Sequence, residues 1–224
     1  MKNFLLIPIL LFIFATTTPS ENNPYTIKIF TKDDVSPLLL FVATLRINIF
    51  REYPYLYEGN LKEEMDDLEH CAQLTNNALA IAFYKETPVG FLYGIPLKEF
   101  ASHFENPVLD LFREKNLNPE TCYYFADIIV LPEHRGNSLS KKLFNVLEVY
   151  AQEQGYHSAS FITESHDIHP LKPANYKSLE PLWHSLQYKK TRLTSYGSWQ
   201  THQPDGSIAR QKHSADIWFK NLKK

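Results

Sequence analysis

The sequence predicts an α/β protein in which one mixed sheet is flanked by helices, and three observations lead to this prediction. Residues 122–163 read as a strand, a turn, an amphipathic helix and a second strand, which together make a βαβ unit. Residues 78–95 and residues 191–219 each contain two strand-like runs separated by turn residues, as β-hairpins do. The parallel unit and the antiparallel hairpins together predict a sheet of mixed direction.

The first half of the chain alternates between strand and helix patterns. Residues 25–30 alternate in polarity and predict the first strand. Residues 31–34 offer N-cap side chains for a helix whose apolar face carries Leu38, Phe41, Leu45 and Ile49. There follow an aromatic loop over 50–60, an acidic amphipathic helix over 61–71, strands over 78–84 and 89–95, and a short helix over 107–115.

The central unit places a polar turn between an apolar strand and a helix. The strand covers residues 123–131, Pro132 ends it, and the turn covers residues 132–137. The helix carries Leu139, Leu143 and Leu147 on one face and ends near Gly155, before a strand over 158–163. Free backbone N–H groups and the positive end of the helix dipole converge where such a helix begins. The turn therefore predicts an anion-binding site.

The C-terminal part predicts one helix and one hairpin. The helix covers residues 178–186, and the hairpin pairs residues 191–200 with residues 207–219 around a Pro-Asp-Gly turn at 204–206. Without the first 20 residues the chain keeps about 200 residues, which suffices for one domain with a sizeable core.

The first 20 residues have the pattern of a secretory signal peptide. Lys2 supplies a positive charge, residues 4–14 are an unbroken apolar run, and residues 15–20 are mostly small. The run is too short for a comfortable membrane span of ~20 residues, so we expect no stable span. An uncleaved N-terminal anchor remains open, because the region before residue 21 lacks an Ala-x-Ala site. Export to the periplasm or the medium is the expectation.

Composition and cysteine content narrow the classes of partner. Apolar residues make up 44% of the chain, charged residues 21%, and the net charge is −2, so nothing favours nucleic acid or an anionic membrane surface. Cys71 and Cys122 are the only cysteines. They can pair in an oxidising compartment or remain two separate buried thiols, and their spacing gives no metal signature.

Residues 131–140, read as LPEHRGNSLS, resemble the acetyl-CoA pyrophosphate loop of the GNAT N-acetyltransferases. The family pattern is Arg or Gln, two residues, Gly, one residue, then Gly or Ala. Arg135 and Gly136 fit it, whereas Ser138 and Ser140 occupy positions where the pattern has small glycine-type residues. Residues 50–57 (FREYPYLY), 169–176 (HPLKPANY) and 217–220 (IWFK) resemble a bacterial subgroup of this family.

The resemblance implies a single GNAT-type domain over residues 21–224, with a mostly antiparallel central sheet flanked by helices. It also implies acetyl-CoA as co-substrate. In that family the strand before the loop pairs through its backbone with the pantetheine arm, a role that falls here to Ile129, Val130 and Leu131. The loop that wraps the pyrophosphate would consist of Arg135, Gly136, Asn137, Ser138, Leu139 and Ser140. Both serines add a Cβ to the loop, and Ser138 can cap the following helix.

Asp127 is the candidate base. The acceptor amine arrives as an ammonium ion and must lose a proton before it attacks the thioester. The resemblance places an acid at this position, and Asp is otherwise rare in the middle of an apolar strand. A buried carboxylate is costly unless it is paired or protonated, so we expect a raised pKa at Asp127. An Asp at a solvent-facing strand end, held by a backbone amide, is the alternative interpretation.

The general acid is harder to assign. Many GNAT enzymes use a Tyr in the last helix, but Trp183 occupies that position here and Gln187 stands where a Gly is usual. Tyr176 or His184 can substitute, although such residues are more often merely packed or solvated. An explicit acid is also dispensable, because a thiolate is a tolerable leaving group.

Two further clusters in the sequence are candidate sites. His166, Asp167 and His169 could contribute metal ligands, but no further ligand cluster stands nearby in sequence, so we expect no metal. The aromatic residues after the first helix have a better claim, as the wall of an acceptor pocket. We therefore assign Tyr55, Tyr57 and Tyr176 to acceptor binding, with a packed loop around Tyr53, Tyr55 and Tyr57 as the alternative.

The function implied is transfer of an acetyl group from acetyl-CoA to a primary amine of a small molecule or peptide. A catalytically weak, exported module that binds a ligand or protein is the alternative, favoured by the loop serines and by the scarcity of acetyl-CoA outside the cytoplasm. An exported enzyme that acts in the cytosol of another cell is a third reading. The sequence identifies neither the amine nor the oligomeric state.

We predict that the exported protein begins near Glu21, because Thr18 and Ser20 are plausible small residues before the cut. N-terminal sequencing of the secreted or periplasmic fraction measures this. A soluble cytosolic species that retains Met1 would contradict export.

Overall fold

A computed structural model of the protein describes residues 23–103, 108–114, 117–164 and 170–222. Within these ranges seven strands form one sheet. They are β1 (Tyr25–Thr31), β2 (Ala78–Tyr84), β3 (Thr87–Pro96), β4 (Cys122–Val130), β5 (Ser158–Glu164), β6 (Lys189–His202) and β7 (Ile208–Asn221). Their spatial order is β1-β2-β3-β4-β5-β7-β6, and β4 with β5 is the parallel pair among otherwise antiparallel neighbours.

Helices cover both faces of the sheet. They are α1 (Leu39–Phe50), α2 (Leu61–Gln73), α3 (Leu97–His103), α4 (Val108–Glu114), α5 (Leu139–Glu153) and α6 (Glu180–Ser185). Buried side chains of α1 to α4, such as Val42, Leu68 and Phe112, share one apolar core. Those of α5 and α6, such as Leu143 and Trp183, share a second core on the other face. The fold class predicted from the sequence, a mixed and mostly antiparallel sheet between helices, is confirmed.

The structure differs from the predicted elements in two places. Two short 3₁₀ turns, at 32–34 and 36–38, precede α1, and Pro37 lies in the second of them. The side chain of Thr31 caps neither turn. Helix α3 was not predicted, and it follows β3 without a break. Asn60 caps α2 by accepting hydrogen bonds from the backbone N–H groups of Lys62 and Glu63.

Some predicted features lie outside the described residues. These are the signal peptide over 1–20, the cluster of His166, Asp167 and His169, and the two ends of the helix predicted over 107–115. None of the helices within the described ranges is both long and apolar enough to cross a membrane. The same ranges contain no group of three or more His, Cys, Asp or Glu placed to hold a metal ion.

Strands β4 and β5 separate soon after they meet. In the described residues their pairing is limited to Cys122–Tyr124 with Ser158–Ser160. A β-bulge in β4 follows, because Tyr93 of β3 faces Asp127 while Gly94 faces Phe125, which leaves Ala126 as the extra residue. The diverging strands open a cleft between the two halves of the sheet.

The cysteines are two separate thiols, so the unpaired interpretation holds in this structure. Both Cys71 and Cys122 are free and buried. Burial raises the pKa of each thiol to about 11. Neither is therefore a reactive thiolate at neutral pH.

We predict that a thiol reagent such as dithionitrobenzoate labels neither cysteine in the folded protein at pH 7. Both should react at once in denaturant, because unfolding exposes them and restores their usual pKa. Counting the released chromophore measures this. A single count or none in denaturant would instead indicate a disulfide or another modification.

Candidate active site

The cleft between β4 and β5 is large, with a volume of about 1480 Å³. One wall is the divergent part of β4, and the turn and helix start that follow β4 continue this wall. The facing wall consists of the end of β5 and of Trp183 in α6. Aromatic residues of the loop after α1 and residues 171–179 close its remaining side.

The turn after β4 is shaped by its own polar side chains. Arg135 donates from Nε to the carbonyl of Val130 at 3.0 Å, which holds the guanidinium beside the strand end. Asn137 donates from Nδ2 to the carbonyls of His134 and Arg135, at 3.1 and 3.3 Å. Gly136 and Ser138 both adopt left-handed backbone, with φ of 82° and 58°. The turn therefore curls around the beginning of α5.

The turn and the start of α5 form an anion cradle on the cleft wall. Gly136, Ser138, Leu139, Ser140 and Lys141 all line the cleft. The first helical hydrogen bond is from the backbone N–H of Lys142 to the carbonyl of Ser138 at 3.1 Å, so the N–H groups before it have no partner within the helix. Such groups, together with the dipole of α5, suit a pyrophosphate.

The structure revises what the sequence implied for the two serines. Ser138 is the N-cap residue by position, but its side chain makes no cap hydrogen bond, because its left-handed backbone replaces the extended N-cap geometry. Ser140 lies within the first turn of α5, where its backbone is helical. The strain expected of a Cβ in this loop is therefore confined to Ser138.

The edge of β4 that faces the cleft can hold an extended ligand arm. Ile129 and Val130 continue to pair with β3 on one side, through Phe91 and Gly90. Their other edge borders the cleft, where β5 has already diverged. Together with Leu131, whose N–H donates to the carbonyl of Val89 at 2.9 Å, they lead directly to the turn. An open strand edge followed by an anion cradle fits a pantetheine arm and a pyrophosphate.

Asp127 lies in the cleft and is ion-paired. The bulge at Ala126 reverses the alternation of β4, so that Asp127 faces the side of the sheet covered by α1. There its carboxylate accepts a hydrogen bond from the guanidinium of Arg46. This partner offsets the cost of burying the charge, which the sequence alone left uncompensated.

Arg46 is itself held by a second carboxylate. Its Nε donates to Glu64 of α2 at 2.5 Å, and Glu64 accepts a further hydrogen bond from the hydroxyl of Tyr57 at 2.6 Å. Glu64 is only 5% exposed. Tyr57, predicted to bind the acceptor, thus lies outside the residues that line the cleft and holds the network behind Asp127.

The other predicted aromatic residues do line the cleft. Tyr53 and Tyr176 meet edge to face with ring centroids 4.7 Å apart, and Tyr55 packs on Phe50 at 4.6 Å. Burial raises the pKa of Tyr55 and of Tyr176, so both hydroxyls stay neutral near physiological pH. These rings form an apolar wall with polar tips on the side of the cleft that Asp127 faces.

The loop that carries these rings is attached to β6 by backbone hydrogen bonds. Glu58 donates from its N–H to the carbonyl of Gln200, and His202 donates to the carbonyl of Leu56, both at 2.8 Å. The indole Nε1 of Trp199 donates to the carbonyl of Tyr55 at 3.0 Å. The aromatic wall of the cleft is therefore held in place both by α1, which precedes the loop, and by the C-terminal hairpin.

Of the two candidate acids, the structure places only one in the cleft. Tyr176 lines it, whereas His184 lies outside its lining and contacts the ring of Trp218 at 5.2 Å. Trp183 lines the cleft but is packed against Phe144 and Phe161, and its indole offers no acid.

Sequence reasoning missed three charged or titratable residues here: Arg46, Glu164 and His213. Glu164 ends β5 on the cleft wall, and its carboxyl is hydrogen-bonded to Nδ1 of His213 in β7. Burial raises the pKa of Glu164 to about 9. Arg46 is an isolated charged residue in the mostly apolar sequence of α1, and this was the one local sign of its role. The other two residues sit in patterns that resemble ordinary strand ends.

The comparison with protein families agrees with this geometry. The chain belongs to the acetyltransferase (GNAT) family, whose model matches residues 45–169, over half of the chain. The class of protein is therefore an acetyl-CoA-dependent N-acetyltransferase, and acetyl-CoA is its co-substrate. No match was found among curated proteins.

Solved structures share the fold at low sequence identity. An N-acetyltransferase from Staphylococcus aureus Mu50 superposes with a TM-score of 0.55 at 14% identity, over 90% of this chain and 100% of that one. A ribosomal-protein-alanine N-acetyltransferase from Brucella melitensis gives 0.56 at 14%, over 88% and 99%. The structure of yncA from Salmonella typhimurium with its cofactor acetyl-CoA gives 0.52 at 16%, over 90% and 96%.

We predict that Ser138→Gly binds acetyl-CoA more tightly, by roughly three- to tenfold, or ~1 kcal/mol, which is the size of the strain of a non-glycine residue in left-handed backbone. Glycine adopts the left-handed backbone freely and removes a Cβ beside the cradle. The matched control, Ser140→Gly, should show no gain in affinity and should lower the stability of α5 by up to ~1 kcal/mol. Calorimetry and thermal unfolding measure both variants, and equal affinity in the two would contradict the prediction.

Proposed function

We propose that the protein transfers the acetyl group of acetyl-CoA to a primary amine, by direct attack of the amine on the thioester. The acceptor is a small molecule or a peptide with a free amino group. The position of Asp127 is the observation that carries this proposal, because the bulge at Ala126 aims a carboxylate into the cleft beside the open edge of β4.

The two sides of the cleft suit the two substrates. The turn and the start of α5 present N–H groups and Arg135, which attract phosphate oxygens. On the face of the sheet covered by α1, the cleft presents Asp127 and the rings of Tyr55 and Tyr176, which suit an organic cation whose charge meets a carboxylate while its carbon chain packs on aromatic faces. An ammonium ion matches that combination.

Asp127 acts as the base in this proposal. Arg46 contacts Oδ2 of the carboxylate, and Oδ1 is the oxygen that accepts the proton the ammonium ion must lose. Glu64 and Tyr57 fix the guanidinium from behind and thereby orient Asp127. The amine then attacks the carbonyl carbon, the C–N bond forms, and the C–S bond to coenzyme A breaks.

We predict that Asp127→Asn binds acetyl-CoA almost as tightly as the wild type but turns over ~10²- to 10⁴-fold more slowly. Asparagine keeps the shape of the side chain and its hydrogen-bonding capacity but is not basic. Turnover is measured as coenzyme A release over a panel of amines, such as polyamines, aromatic amines and lysine peptides. Cofactor affinity is measured by calorimetry.

The matched control is Asp66→Asn, because Asp66 is an exposed carboxylate on α2 that pairs with Lys62 away from the cleft. It should leave turnover unchanged. Unchanged turnover in Asp127→Asn would instead give Asp127 a structural role. If the wild type acetylates no amine of the panel and acetyl-CoA shows no saturable binding at millimolar concentration, the proposed function fails.

A further inference from the structure

Glu164 is a buried carboxyl group in the cleft lining that the proposed chemistry does not use. Tyr124 of β4 and Ser160 of β5 are the last residues at which the two strands pair. Asp127 follows Tyr124 on β4, and Glu164 follows Ser160 on β5, at similar distances along the two strands. The pairing of Glu164 with Ala215 of β7 and of Tyr124 with Ser160 places Glu164 on the sheet face that Asp127 shares. The two carboxyl groups therefore stand on opposite arms of the splayed strands, on the same side.

The two environments favour opposite protonation states. Asp127 faces the guanidinium of Arg46, which stabilises a negative charge. Glu164 has a side chain only 1% exposed and faces the imidazole of His213. Its pKa is raised by burial to about 9. Two carboxyl groups whose surroundings separate them in this way are suited to act as base and acid.

The tautomer of His213 is assigned from its hydrogen-bond partners. The hydroxyl of Thr201 donates to the carbonyl of Trp199 at 3.2 Å, so its oxygen accepts from Nε2 of His213 at 2.8 Å. The other ring nitrogen, Nδ1, then faces Glu164. One proton lies between that nitrogen and the carboxyl group. If it is lost, two lone pairs face each other, which makes its release at neutral pH unfavourable.

Aromatic side chains pack close to this pair. The indole of Trp199 stacks on His213 with ring centroids 3.9 Å apart. Tyr55 and Tyr176 line the cleft together with Glu164, and burial raises the pKa of both phenols, so their hydroxyls stay neutral near physiological pH.

Resting on the proposed acetyl transfer, we propose that Glu164, supported by His213, is the proton donor to the leaving thiolate of coenzyme A. This assignment supplies an acid where the last helix carries Trp183 in place of a tyrosine. The step needs a donor that stays protonated at neutral pH and whose pKa is close to that of a thiol. Glu164 meets both requirements.

The step balances in atoms and charge. The ammonium ion first gives one proton to Asp127, and the neutral amine forms the C–N bond. As the C–S bond breaks, sulfur takes the proton of the Glu164–His213 pair and leaves as the thiol. The nitrogen, now positive, sheds its second excess proton, which restores the pair. The net products are the amide, coenzyme A and one proton, which Asp127 releases to solvent.

The first test reads the proton directly and needs no acceptor. Infrared spectroscopy of the intact free protein at pH 7 should show the C=O band of a protonated carboxyl group, which disappears as the pH rises through about 9. Glu164→Gln should abolish this band. Glu148→Gln should keep it, because Glu148 is also buried but pairs with Lys220 at 2.6 Å. A missing band, or one that survives in Glu164→Gln, would overturn the proposal.

The second test uses the pH dependence of kcat with the best amine of the panel. An acid must be protonated to act, so wild-type kcat should fall as the pH rises through the pKa of the pair. Glu164→Gln should lower kcat by ~10²-fold and lose this alkaline decline, with the affinity for acetyl-CoA intact. Asp127→Asn should retain the alkaline decline. An unchanged profile in Glu164→Gln would overturn the donor role while transfer itself still stands, whereas absence of any transfer would count against the proposed function.

Discussion

The separation of β4 from β5 is the constraint on which the rest of the structure depends. A sheet whose neighbouring strands stayed paired would have no room for a ligand between them, and its backbone groups would all be satisfied internally. Here pairing is confined to Cys122–Tyr124 and Ser158–Ser160. The freed edge of β4, the turn that follows it and the start of α5 then become a continuous polar surface. Both helical layers are needed, because the apolar faces of the separated strands still have to be covered.

Charge compensation governs the acceptor side in the same way. Asp127 and Glu164 are both removed from water, and Arg46 is the cationic partner of Asp127. The guanidinium bridges Asp127 and Glu64, and Tyr57 completes the hydrogen bonds of Glu64. Loss of one member would leave a buried charge without compensation, which is costlier than the pair itself is stabilising. The network of Arg46, Glu64 and Tyr57 therefore holds the carboxylate of Asp127 in a fixed position.

Much of the fold could be predicted from the sequence because it is encoded locally. The strand, turn and helix over residues 122–163 follow from periodicity, and the positions of Arg135 and Gly136 follow from a short motif. The ion pair of Arg46 with Asp127 could not be predicted, since 81 residues separate them. The bulge at Ala126 leaves no mark on the apolar pattern, and the contact of Glu164 with His213 depends on the register of β5 with β7. Ser138 was expected to cap α5, but its left-handed backbone, visible only in three dimensions, excludes this.

The attachment of the aromatic loop to β6 has a consequence for how such a protein can diversify. The joints at Leu56, Glu58, Gln200 and His202 are made by main-chain atoms, which every residue type except proline supplies in full. Side chains on either segment can thus be exchanged without loosening the joint. Exchanges on the aromatic side of the cleft therefore need not disturb the turn and the start of α5 on its other side. One backbone joint can in this way carry many different side chains against the same cleft.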